Sequence, residues 1–402
     1  MKRVMLITSS FPYGSKETFI EPEMVSIPDG IELILIPIHR CEGVIRDVGD
    51  KRIIELNELE KTKQAKEYLK SLFSLEFVSG VYEMIQCRKF SLQGMKGLVS
   101  FIYSGKIIAS KIENGLHRQG ISIDPDTVVY SYWMDSTALA ALYLARGKGK
   151  IISRAHGADL YDERAKQGHL FLRKYLAQNL DGIYPISEQG AQYLKNRTRN
   201  VGNVHCSHLG VIDHGVLEYS QRKRIQLFSC SNVIHLKRID LIIQALSQLH
   251  NIEFNWTHIG SGSLLDTMKK KAENELPCNS FEFKGQVSNA DVHRFIKDGN
   301  CYLFINASET EGIPVSIMEA LSYGIPVIAT DVGGVSELVS DHVNGILVPA
   351  NNCNALVNAL EEFFKMPHEE YLQYRYQARK TYEKEWRAEK NYKEFYSQII
   401  EL

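Results

Sequence analysis

Residues 301–334 read CYLFINASETEGIPVSIMEALSYGIPVIATDVGG. CYLFINAS (301–308) and PVIATDV (326–332) are short apolar runs rich in β-formers, and the VSIMEALSYG between them has the three-to-four-residue apolar spacing of a helix. Strand, helix and strand in so short a span predict a parallel pair joined by a crossover helix. The turn into that helix carries Glu311, Gly312 and Pro314, and Glu319 follows among Ile317, Met318, Ala320 and Leu321. No cation lies nearby in sequence to pair with either carboxylate.

The alternation continues in both directions. IQLFSCS (225–231), FNWTHIG (254–260), FEFKGQV (281–287) and GILVPA (345–350) read as strands, with IDLIIQALSQL, SLLDTMKKKAENEL, ADVHRFIKDG, VSELVSD and NALVNALEEFF as helices between them. This pattern predicts a parallel sheet covered on both faces, a Rossmann-like domain. The first half repeats it in RVMLITS (3–9), ELILIPI (32–38), TVVYSYW (127–133), IISRAHG (151–157), GIYPIS (182–187) and NVHCSHLG (203–210), with residues 55–120 largely helical. The charged QRKR run at 221–224 places the linker near 211–224. The expected domains are 1–215 and 216–379. The tail reads as helix with an apolar stripe at Tyr392, Phe395, Tyr396 and Ile399, and its part from about 380 to 402 is expected to pack back on the first domain.

Bulk properties agree with two domains. A chain of 402 residues is too long for one ordinary core. With a formal net charge of -1, the protein is not a nucleic-acid binder of uniformly basic surface. Its seven cysteines are scattered and never spaced C-x-x-C, as expected of reduced thiols rather than a disulfide framework or zinc site. MKRVMLITSSFPYG reads as a first buried strand rather than a signal peptide. VVYSYWMDSTALAALYLA contains Asp135 and several hydroxyls and is no membrane span. A cytoplasmic protein is expected, peripheral on the inner face of the membrane if lipid is contacted.

Ligands of open α/β sheets collect beyond the carboxyl ends of the strands, where Glu311 falls. Gly312 lets the backbone approach a ligand, Pro314 suits a helix start, and the amides of Ile313, Val315 and Ser316 are left free to favour a phosphate. Glu319 lies roughly 7 Å further along the helix axis. Two carboxylates flanking an anion site suit a ligand with a diol at each end, which describes a nucleotide sugar.

SETEGIPVSIMEALSYGIPVIATDVGGVSEL resembles the signature of the family-4 glycosyltransferases. The resemblance implies an α/β GT-B fold: two Rossmann-like domains facing across a cleft, with a C-terminal crossover helix. It implies a retaining, metal-independent transfer from a UDP- or GDP-linked sugar, with no cofactor beyond that donor. Glu311 would hold the transferred sugar and Glu319 the ribose. In SCSNVIHLKRIDLIIQAL, Lys237 matches a family lysine that neutralises the donor diphosphate, and Asn232 stands where the family has arginine, so Arg238 would assist. The resemblance puts the nucleobase at Gln286 and Val287. IGSG (259–262) reads as a tight turn.

In the first half, SSFPYGSKETFIEPE resembles the family's donor-facing glycine loop, with Gly14 bringing amides to the diphosphate. SRAHGADLYDER resembles its H-G-x-D segment: His156 would lie beside the donor sugar, and Asp159 would orient the acceptor hydroxyl or cap a helix. Ser187 reads as a helix cap. A front-face route follows, in which a leaving phosphate oxygen takes the acceptor's proton. The acceptor implied is a glycan or lipid-linked glycan of surface polysaccharide. Residues 88–118 mix Arg88, Lys89, Lys96, Lys106, Lys111 and Arg118 with Phe90, Phe101, Ile102 and Ile107, which suits either an anionic membrane surface or an ordinary amphipathic helix pair. A nucleotide-sugar epimerase of the same fold and a non-catalytic nucleotide-sugar sensor remain as alternatives. No partner nucleic acid is expected.

Overall fold

The computed structural model describes the chain except residues 1, 15, 42, 44, 166, 200, 201, 219–223 and 251, and the side chains of 63 and 65. Most of the QRKR run therefore lies outside the described residues. The chain divides into two compact units: Met1–His208 with Tyr392–Leu402, and Leu209–Asn391. This division sits beside the expected boundaries at 215/216 and about 380. Residues 209–211 stay with the second unit because Val211 exchanges backbone hydrogen bonds with Trp386 and Ala388, at 3.0 and 3.1 Å.

Unit 1 is built on β1 (Lys2–Thr8), β2 (Ile31–Pro37), β3 (Arg52–Ile53), β4 (Thr127–Ser131), β5 (Lys150–Ala155) and β6 (Gly182–Pro185), in the order 3-2-1-4-5-6. Every pairing is parallel, and this order places a topological switch point between β1 and β4. NVHCSHLG is not a separate strand. It follows β6 through Ile183, His205 and Ser207 amides but forms only one bridge, at Val204. The sheet is flanked by α1 (Glu21–Val25), α2 (Lys61–Leu72), α3 (Leu75–Gln86), α4 (Leu92–Arg118), α5 (Ser136–Ala145), α6 (Arg173–Asn179) and α7 (Glu188–Thr198). Ser91 caps α4 by accepting from the Gly94 amide at 2.9 Å, and Ser187 caps α7 in the same way.

The apolar stripe of α4 points inward. Leu98, Ile102, Ile112 and Leu116 are buried, and Phe101 and Ile107 are half-buried. Of the apolar residues that 88–118 offered to a lipid surface, Phe101 and Ile102 thus belong to the core, because a long helix on a sheet must cover it, while Ile107 is half-buried and Phe90 exposed.

Unit 2 repeats the plan. Its strands β7 (Ile225–Cys230), β8 (Phe254–Ile259), β9 (Phe281–Gly285), β10 (Leu303–Asn306), β11 (Val327–Thr330) and β12 (Gly345–Val348) lie in the order 12-11-10-7-8-9, again all parallel. Around them pack α8 (Ile239–Ser247), α9 (Leu265–Glu275), α10 (Asn289–Gly299), α11 (Val315–Ser322), α12 (Cys353–Lys365) and α13 (His368–Glu385). VSELVSD forms no α-helix; its start joins a 3-10 turn at Gly333–Glu337. The final helix, α14 (Ala388–Ile400), passes from one unit to the other at Asn391/Tyr392. Within unit 1 its Phe395 ring lies 4.1 Å from the buried Arg154 guanidinium, and Tyr396 donates to buried Glu23 at 3.1 Å. Arg154 also donates to Tyr130 and to the Ser207 carbonyl, so the buried charge is partnered.

Candidate functional site

The cation that Glu311 lacks in sequence arrives from 74 positions away. After β7 the chain makes a 3-10 turn, His235–Lys237, and the loop after β10 is tied to it where the Glu309 amide donates to Leu236 at 2.8 Å. Lys237 Nζ then lies 2.5 Å from Glu311 Oε1. Ser308 Oγ donates to the same oxygen at 2.7 Å and Asn306 Nδ2 at 3.4 Å. The site therefore holds a largely buried ion pair at the carboxyl ends of the two central strands.

Two glycines fix this loop. Gly333 has φ +55°, and a Cβ there would sit 1.9 Å from the Glu311 carbonyl oxygen. Gly334 donates its amide to the Gly312 carbonyl at 2.8 Å. Pro314 is the residue just before α11, with β-region φ/ψ, and Ile313 is buried. The amides of Ile313, Val315 and Ser316 donate no hydrogen bond among the described residues, leaving a helix start that favours an anion.

Glu319 lies on α11, its side chain 13% exposed, with His293 Nε2 3.9 Å from its carboxylate. Burial raises its carboxyl to about 7, and burial holds His293 down at about 4, so that imidazole is neutral at physiological pH. No hydrogen bond reaches the Glu319 carboxylate among the described residues. It is a half-buried acceptor with no protein donor among the described residues, a state in which a ligand hydroxyl gains.

The remaining expected donor contacts are less uniform. Asn232 is exposed at the end of β7. Arg238, at φ +47°, is engaged by Asp240 at 2.9 Å, Glu309 at 3.0 Å and Asn351. Gln286 is exposed and Val287 half-buried just past β9. Gly260 and Gly262 fit against the backbone of Ser231 and Val233, so IGSG serves close packing of two loops.

Unit 1 carries a second set. Gly14 has φ +70° and its carbonyl accepts from Arg46 at 2.8 Å. Amides earlier in the same loop are already taken: Glu17 accepts from Ser9, Ser10 and Phe11 at 3.1, 2.7 and 2.8 Å, and from the Trp133 indole at 2.7 Å. Trp133 in turn lies 4.5 Å from the His156 ring, and Tyr132 stacks on His156 at 4.8 Å. His156 Nε2 bonds the Tyr132 carbonyl at 3.0 Å. A carbonyl can only accept, so Nε2 carries the proton. Burial, with Arg154 nearby, lowers the imidazole to about 3, which keeps it neutral. Asp159 accepts from the Met134 and His156 amides, both at 2.8 Å, which uses both of its oxygens to fix the β4 and β5 loops. Beside them a pocket of about 380 Å³ is lined by Phe101, Trp133, Asp135, Phe171, His169 and Arg173, among others. Sequence reasoning missed Glu17 and Trp133, since only folding brings the Trp133 indole, 116 residues away, to Glu17 in the loop after β1.

Comparison with known proteins adds to this geometry. Residues 218–381 match the family model of glycosyl transferases group 1. A putative colanic acid biosynthesis glycosyltransferase, WcaL of Salmonella typhimurium, is 26% identical over 234 residues, 55% of this chain and 57% of the relative. An uncharacterized glycosyltransferase of Methanocaldococcus jannaschii is 31% identical over 212 residues, 52% of this chain and 56% of the relative. The chain thus spans little more than half the length of these curated relatives. Among solved structures, Anabaena HepE in complex with UDP and glucose superposes with a TM-score of 0.73 over 100% of both chains at 14% identity. A glycosyltransferase of Rickettsia africae gives 0.69 over 100% of this chain and 98% of that one, at 16% identity. The chain therefore has the two-domain α/β GT-B fold, and its residues 218–381 match the glycosyl transferases of group 1.

Proposed function

We propose that the protein is a retaining glycosyltransferase of the family-4 type, moving a sugar from a nucleotide-sugar donor to a glycan or lipid-linked glycan acceptor in surface polysaccharide assembly. The observation that carries this reading is the Lys237–Glu311 pair, 2.5 Å apart, in the loop that leads to the free amides of α11. A donor diphosphate takes Lys237 and those amides as its positive partners. Glu311, released from Lys237, accepts from sugar hydroxyls, while Glu319 accepts from the ribose. The nucleobase lies at the backbone of Gln286 and Val287, with Asn232 offering a neutral donor. Arg238 positions the Glu309 loop.

Lys237 and the helix amides stabilise charge on the departing diphosphate. One of its phosphate oxygens takes the proton from the acceptor hydroxyl as the new C–O bond forms on the face being vacated. In unit 1, neutral His156 offers Nδ1 to a substrate hydroxyl, and Asp159 positions it through the backbone. The pocket beside Trp133 receives the acceptor, its aromatic walls giving flat apolar faces and Asp135 and Arg173 the polar rim. The named relatives in polysaccharide assembly support a glycan acceptor, and the UDP and glucose bound to the structural neighbour support a uridine-linked hexose donor.

A thermal-shift panel of UDP-, GDP- and ADP-sugars on wild type and Glu319→Ala tests the donor grip. A shift for one base, reduced in the variant, is expected; no shift with any nucleotide sugar contradicts the proposal. Product analysis separates transfer from its alternatives: an epimerase alters the donor without acceptor, and a sensor turns nothing over.

A further inference from the structure

Nine of the eighteen large apolar side chains exposed among the described residues lie between Tyr68 and Leu92. They have a pattern. On α3, Leu75, Val78, Tyr82 and Ile85 follow one another at helical spacing and are 82%, 65%, 62% and 56% exposed. The opposite face of the same helix, Phe77, Val81 and Met84, packs into the core of unit 1. The helix is therefore apolar on both sides and covered on one. Helices of that kind belong in apolar surroundings on every side. The turns at its two ends extend the uncovered face through exposed Phe73 and Phe90.

Charge decides what covers it. Between residues 66 and 96 the exposed charged side chains are Lys66, Lys70, Arg88, Lys89 and Lys96, all basic. The three acids of the same stretch are half-buried or buried and engaged within the unit: Glu67 with Lys70 at 2.7 Å, Glu76 with Tyr175 at 3.0 Å, and Glu83 with Arg197 at 3.1 Å. A second copy of the chain would meet this patch with the same patch, setting basic residues against basic residues. An anionic lipid surface offers phosphates to the cations and acyl chains to the stripe together. We propose that α3 and its flanking turns form an interfacial face that docks unit 1 on a membrane rich in anionic lipid, with α3 lying in the headgroup layer. No helix among the described residues is long and apolar enough to cross the bilayer, so this is attachment at the surface.

The face needs no assumption about the reaction, yet it bears on the acceptor. Lys89 Nζ lies 3.4 Å from where a Cβ on Gly168 would stand, and residues on both sides of Gly168 wall the pocket beside Trp133. Docking therefore brings lipid phosphates to the edge of that pocket. A lipid-linked substrate could enter it without leaving the membrane.

Vesicle flotation tests the proposal without donor or acceptor, so its failure is separate from any failure of the transfer reaction. Wild type is expected to float with phosphatidylglycerol vesicles and to bind phosphatidylcholine vesicles far less. The combined change Leu75→Ser, Val78→Ser and Ile85→Ser should lower partitioning by at least about tenfold with an unchanged melting temperature. Should that variant fold poorly, Arg88→Glu with Lys89→Glu leaves the stripe intact and should abolish the preference for anionic vesicles. Wild type remaining at the bottom of the gradient, or both variants floating as well as wild type, overturns the proposal. So does self-association in sedimentation that the serine variant abolishes without any change in flotation.

Discussion

Glu319 is the residue whose environment makes the sharpest demand. Its carboxyl, raised to about 7 by burial, is protonated on a substantial fraction of free molecules at neutral pH. Because the folded value lies above the ordinary value of about 4.3, the contribution to stability is full below pH 4.3 and is lost as pH rises to 7. Ribose hydroxyls favour the ionised form, so donor affinity should climb with pH through this window, by at most about tenfold per unit, and level off above 7. Titrations at several pH values on wild type and Glu319→Gln check this; the variant should give a flat profile. Glu17 makes a different prediction. Glu17→Ala leaves three backbone amides and an indole without their acceptor, and unit 1 should lose about 2–4 kcal/mol in urea unfolding. At this scale the sequence spoke only in part. Glu311 and Glu319 announced themselves as acids in apolar company, but the ammonium that neutralises Glu311 lies 74 residues upstream and no local pattern could reveal it.

The loops that carry these residues are held by backbone fit rather than by side-chain bonds. Gly333→Ala would force a left-handed residue to carry a Cβ overlapping the Glu311 carbonyl, so the loop must move. We expect a loss of about 2 kcal/mol or more in stability and a weaker donor shift together, whereas Gly120→Ala, equally left-handed but with nothing near its Cβ, should lose stability alone. Elements with strong periodicity were readable: β7 to β12 and the helices between them follow the apolar runs closely. VSELVSD was not, because its three apolar residues, Val335, Leu338 and Val339, fit a helix, while the chain there makes 3-10 turns kinked at Gly334, whose amide is tied to the Gly312 carbonyl. The two-residue β3 escaped for the opposite reason, being too short to show any period. In α4 the mixture of basic and apolar residues was visible, and only its packing shows that the apolar ones face the core.

Across the molecule, each unit carries the same strand order, and the two-domain plan was legible as two series of alternating runs. The tail shows a long-range dependence that those runs cannot. Arg154 is wholly buried, and Phe395 and Tyr396 close over it and Glu23 within unit 1. Truncation after Asn391 should therefore expose both charges and lower the melting temperature of unit 1, with the donor shift of unit 2 as the control. Donor binding by unit 2 is the claim on which the proposed chemistry rests, and titration calorimetry of uridine diphosphate into wild type and Lys237→Ala tests it most directly. The variant should bind about ten- to hundredfold more weakly, the worth of one charge-assisted hydrogen bond. Equal affinity in the two proteins would contradict the assignment of the diphosphate to Lys237 and the start of α11.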